Sequence, residues 1–73
     1  MRLGPRIVAD VNIRFGRPVI EGTRIPIDLV IGKLASGMSY GDIMHEYAIE
    51  KEDILAVLLY ASKHIDGEEV TDI

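Results

Sequence analysis

A chain of 73 residues, 48% hydrophobic and without cysteine, builds one core and cannot staple it with disulfides or thiolate-held metal. At this length folding buries only about 60% of the unfolded surface, which leaves association with another chain as the remaining route to stability. The net charge of −4 is unevenly divided: residues 1–24 hold Arg2, Arg6, Arg14, Arg17 and Arg24 against Asp10 and Glu21 (+3), and residues 25–73 hold three lysines against ten acids (−7).

The first 26 residues read as short extended pieces and turns. Ile7-Val8 and Val19-Ile20 are β-branched pairs, and Gly16, Pro18 and Gly22 punctuate the chain around them. Pro18 and Pro26 lack an amide donor, so strands here are short or lie at an edge. Ile25-Pro26-Ile27 reads as an extended lead-in to a helix, because residues before proline avoid helical angles.

Three helices are expected next. The first spans about Asp28 to Ser36, with Ile27, Val30, Ile31, Leu34 and Ala35 on one face. Asp28 is expected to cap it, and Gly37 to end it in a left-handed conformation. The second starts at the N-cap Ser39, with Asp42 as its box partner, and ends near Tyr47 with Ile43, Met44 and Tyr47 facing inward. The third starts near Lys51, carries Glu52 and Asp53 where the helix dipole favours acids, and stops near Gly67. Its apolar face is Ile54, Leu58, Ala61 and Ile65. The middle-to-last pair has helix-turn-helix proportions. Residues 66–73 form an acidic tail, expected to be a frayed, solvated end. The fold class is therefore mostly α: one domain over residues 1–73, with a strand-and-turn arm (1–26), a three-helix unit (27–65) and the tail.

The stretch Gly16-Arg17-Pro18-Val19-Ile20-Glu21-Gly22-Thr23-Arg24-Ile25-Pro26-Ile27 resembles the hallmark of the bacterial and archaeal domain-of-unknown-function family numbered 433. The likeness continues through Leu34-Ala35-Ser36-Gly37-Met38-Ser39 and returns at Asp53-Ile54, Ala56, Leu58 and Tyr60-Ala61. The resemblance implies a helix-turn-helix-like domain after short N-terminal strands, with an antitoxin-type role toward PIN-like ribonuclease toxins. The sequence departs from many relatives at Tyr47-Ala48-Ile49-Glu50, where they have a Thr or Ser cap after a proline-containing turn; here the cap is weaker.

The chemistry-bearing residues admit competing readings. Gly22-Thr23-Arg24 is either a turn with positive φ at Gly22 and Thr23 bonded to local backbone, or an anion site using Arg24. In the first case Arg24 pairs with Glu21 or with an acid of the second helix. His45 and His64 have no spacing to further ligands, so no metal and no cofactor is expected. No nucleophile stands beside a base and no phosphate loop is present, so a non-catalytic protein is expected. The third helix is apolar from Ile54 to Ala61, and the N-terminal turn that would meet base edges carries Glu50, Glu52 and Asp53, which phosphates repel. It reads as core plus a homodimer interface of Ile54, Leu55, Leu58 and Leu59. Partner or nucleic-acid binding then falls to Arg14, Arg17, Thr23 and Arg24 on the arm. The expected partners are a second copy, a nuclease toxin encoded next to it, and its own promoter DNA. The competing class is a dimerisation module that touches neither toxin nor nucleic acid. No run approaches the ~20 apolar residues of a membrane span, no secretory signal is evident, and the expected location is cytoplasmic.

Overall fold

The computed structural model describes residues 1–64; the expected acidic tail, and the continuation of the third helix through Ile65 to Gly67, lie outside the described residues. Near the N-terminus the β-branched pairs form strands. β1 (Arg2–Gly4), β2 (Ile7–Val8) and β3 (Val19–Ile20) make an antiparallel sheet in the order β1-β2-β3. Ile7 faces Ile20 and Val8 faces Val19. β1 was not anticipated. It exists because Pro5-Arg6 reverses the chain in two residues, with Arg6 at φ +64°, the positive φ that the third position of a type II turn requires. The prolines keep the sheet short as expected: Val19 bridges to Pro26, and the Ile27 amide donates to the Pro18 carbonyl at 3.1 Å.

The helices are α1 (Ile27–Ala35), α2 (Tyr40–Tyr47) and α3 (Lys51–His64). α1 ends as its sequence predicts. Gly37 sits at φ +101°, the Gly37 amide donates to Leu34, and the Met38 amide donates to Lys33, which together form a Schellman motif. Its start differs from expectation. The N-cap is Pro26, no side chain caps it, and Asp28 lies inside the first turn. That carboxylate pairs instead with Arg17, a stronger partner than a neutral amide. At α2 the Ser39 hydroxyl accepts the Asp42 amide at 3.0 Å. The reciprocal bond from the Ser39 amide to the Asp42 carboxylate is absent among the described residues.

At the α2–α3 turn Ala48 adopts a left-handed conformation (φ 55°, ψ 45°) and closes α2 onto the Met44 carbonyl. Glu50 then takes the N-cap position of α3, and the Asp53 carboxylate reaches back to accept the Glu50 amide at 2.9 Å, the reciprocal half of a capping box. Among the described residues the Glu50 side chain accepts no α3 amide and is held by Arg6 instead, so the Ser or Thr half of the box is missing, as expected. A left-handed alanine costs about 1–2 kcal/mol that glycine does not, partly offset by glycine's greater entropy loss. Ala48→Gly is therefore expected to stabilise the fold by about 0.5–1 kcal/mol, read as a rise of roughly 2–8 °C in Tm by thermal denaturation. A lower Tm would show that the methyl group is needed there.

Helices and sheet close over one core of Ile7, Ile20, Ile27, Val30, Ile43, Ile49, Ile54, Ala56 and Val57, with Met44, Tyr47 and Leu58 packed against it. α3 is the central element, in contact with α1, α2, β1 and β2. No helix among the described residues is long and apolar enough to cross a membrane.

Candidate functional site

With five arginines in the arm and most acids beyond it, ion pairing decides which cations remain for a ligand. Arg2 donates to Glu21 at 2.7 Å, a bond that holds the Glu21 carboxyl below its ordinary range. Arg6 donates to Asp53 at 2.9 Å and to Glu50 at 3.0 Å, and these two hydrogen bonds raise the pKa of its guanidinium. The positive φ of Arg6 thereby points its side chain across the fold to the start of α3. Arg17 is paired with Asp28. Among the described residues, Arg14 and Arg24 form no ion pair. The expected pairing of Arg24 with Glu21 or an α2 acid is absent, since Glu21 is bound by Arg2. Arg14 instead donates from Nε to the Arg24 carbonyl at 3.2 Å, holding the two exposed residues next to each other.

The loop that carries Arg14 has an unusual backbone. Arg14, Phe15 and Gly16 have φ of +53°, +57° and +87° in succession. Bonds from the Gly16 amide to Ile13 and from the Arg17 amide to Arg14, both 3.1 Å, close a single left-handed turn. Glycine accepts this freely; for Arg14 and Phe15 it costs about 1–2 kcal/mol each. Upstream, the Ile13 amide donates to the Asp10 carbonyl and the Asn12 amide to the Asp10 carboxylate, both at 2.8 Å. The loop is therefore bonded along its length. At its tip the Phe15 side chain is 94% exposed and Val11 76% exposed. Burying that ring would contribute about 1.5–3 kcal/mol, and the fold leaves it in solvent. The sequence carries no signal for this, because neither Arg nor Phe is a usual left-handed residue.

The remaining candidates separate cleanly. Thr23 is structural: its hydroxyl donates to the Ile20 carbonyl at 2.7 Å and accepts the Ile25 amide at 3.0 Å, and Gly22 has φ +81°. The hydroxyl donates and accepts within the turn, as the turn reading of Gly22-Thr23-Arg24 expects. Ile54 is fully buried in the chain's own core and cannot face a partner, and Leu58 is half-buried against that core. Leu55 and Leu59 stand 46% and 43% exposed on α3, and of the four residues expected at an interface these two are the ones open to solvent. His64 packs on Tyr60, with ring centroids 4.1 Å apart. Among the described residues no three His, Asp or Glu side chains group closely enough to share a metal ion.

The start of α3 is also committed. Arg6 covers Glu50 and Asp53, so the end of the helix that would read a major groove is tied to the β1–β2 turn.

These features define a small, mostly helical domain whose unsatisfied surface lies on its N-terminal arm. The family described as protein of unknown function (DUF433) matches residues 7–61, and the chain belongs to that family. No curated protein and no solved structure gives a significant match.

Proposed function

We propose that this chain is a non-catalytic, antitoxin-like protein that acts as a homodimer and binds a PIN-like ribonuclease toxin through its arginine arm. The observation that carries this reading is the adjacent pair Arg14 and Arg24. Arg14 rests against the Arg24 main chain, and neither guanidinium pairs with an acid among the described residues, in a chain whose net charge is negative. Clustered carboxylates, as a metal-dependent nuclease of this kind is expected to present, would supply the missing counter-charge, and a guanidinium fork pairs with carboxylate bidentately. Arg17, equally eligible by sequence, is the weaker candidate because it already holds Asp28.

The test is to co-express the full chain with the product of the adjacent reading frame, then to measure binding and nuclease inhibition. Arg14→Ala and Arg24→Ala are each expected to weaken the complex about 30-fold or more, the usual consequence of truncating one partner of a desolvated charge pair. Arg17→Ala should cost less. A complex and inhibition unaffected by both substitutions would overturn the arginine reading, and a neighbour that neither binds nor is inhibited would overturn the antitoxin reading.

A second reading, binding to promoter DNA, is favoured by the same pair, since phosphates would neutralise it equally. The ion pairs of Arg6 make the start of α3 the wrong element for it. With four such arginines per dimer on phosphate, the log-log salt slope would be about −3 to −4, and Lys51→Ala would leave it unchanged. If neither target binds, a dimerisation module built on Leu55 and Leu59 is what remains.

A further inference from the structure

Phe15 is an aromatic ring with no packing partner among the described residues. It stands 94% exposed at the tip of a left-handed turn, with Val11 of the same loop 76% exposed. The two belong to one folded-back unit, since the Val11 Cα lies 3.9 Å from the place a side chain on Gly16 would occupy. Arg14, the residue directly before the ring, donates to the Arg24 main-chain carbonyl, and neither arginine forms an ion pair among the described residues. An apolar anchor with arginine beside it is the composition of energetically dominant interface residues, and such anchors seat in fully desolvated pockets.

We propose that Phe15 is the principal anchor of this chain in its protein partner, filling an apolar pocket rimmed by carboxylates, with Val11 at the pocket mouth and Arg14 and Arg24 on the acidic rim. This rests on the partner-binding reading above and adds to it the residue that seats the complex. Charge complementarity selects the occupant. The rim must be acidic to match two arginines that pair with no acid among the described residues. A nucleic acid would satisfy those arginines too and could stack on the ring, but it offers no apolar pocket for the aliphatic Val11. The turn's hydrogen bonds hold the backbone that carries the ring, so little main-chain ordering is left to be done at the moment of association.

The experiment uses the full chain and the product of the adjacent reading frame as probe. Affinity is measured by calorimetry for the native chain, Phe15→Gly and Val11→Ser, and thermal unfolding is measured for each chain alone. Phe15→Gly is expected to keep the fold and raise Tm, because the ring buries nothing and glycine suits φ +57°. It should bind the probe at least about 30-fold more weakly, and Val11→Ser about 3–10-fold more weakly. Binding within threefold of native by Phe15→Gly overturns the anchor while leaving the antitoxin reading intact. Failure of the native chain to bind at all overturns both. A lower Tm for Phe15→Gly would make the ring structural and overturn the proposal. So would conversion of a native dimer to monomer, or selective loss of affinity for duplex DNA, since the occupant would then be a second copy or a nucleic acid.

Discussion

Replacing Ile54 with alanine is expected to remove most of the fold's stability. Its side chain is fully buried, at the centre of the layer where α3 meets the other helices and the sheet. Truncating such an isoleucine costs about 2–5 kcal/mol, through lost transfer energy and the cavity left behind. A domain of 73 residues has roughly 4–11 kcal/mol in total, at about 0.05–0.15 kcal/mol per residue. At about 4–8 °C per kcal/mol for a domain of this size, Tm should fall by roughly 8–40 °C. Thermal unfolding followed by circular dichroism checks this, with Leu59→Ala as the control expected to cost under about 1 kcal/mol in the isolated chain. A loss below about 1 kcal/mol for Ile54→Ala would place that side chain at the surface.

The double substitution Leu55→Glu, Leu59→Glu should convert a dimer into folded monomer. The two leucines lie four residues apart on α3, so they share a face, and both are about half exposed. The first turn of α3 holds Glu52 and the last turn Lys63. Two copies laid antiparallel about the leucines bring these opposite charges together and align the helix dipoles favourably. Introducing four carboxylates into that seam would desolvate charges without partners, which a dimer of this size cannot offset. Sedimentation at micromolar concentration should therefore show a native dimer and a monomeric variant with an unchanged helical spectrum. A native chain that sediments as monomer would rule out the homodimer.

The helices were legible in the sequence because their signals are local. Apolar spacing marked the inward faces of α1 and α2, apart from Ala35, which is exposed at the end of α1, and Gly37 and Ser39 marked a stop and a start by local chemistry that acts within four residues. The same holds for the turn at Gly22-Thr23. Sequence reasoning failed where the deciding partner lies far along the chain. Nothing near Arg6 indicates that it pairs with Glu50 and Asp53, and nothing near Asp28 indicates that Arg17 will claim it. The third helix misled in a different way. Its spacing puts Ile54, Leu58 and Ala61 on one face, but the run from Ile54 to Ala61 is apolar on nearly every side, so Ile54 and Leu58 read equally as core and as interface. The exposed ring of Phe15 was invisible because a left-handed turn built from Arg14 and Phe15 contradicts the local preferences of both residues.

The bond from the β1–β2 turn to the start of α3 also constrains how this chain can fold while it is being made. Ile7 and Arg6 leave the ribosome before the α3 residues that share the core with one and neutralise the other, Ile54, Val57, Glu50 and Asp53. Until those emerge, the arm has only its own strands of two and three residues to hold it, and strand pairing on that scale is marginal in water. Its apolar and cationic side chains thus stay open to whatever is nearby until then, and a partner already present could engage them before α3 closes the fold. For such a chain, the order in which it and its partner are translated would affect how much complex forms, even at fixed final amounts of both.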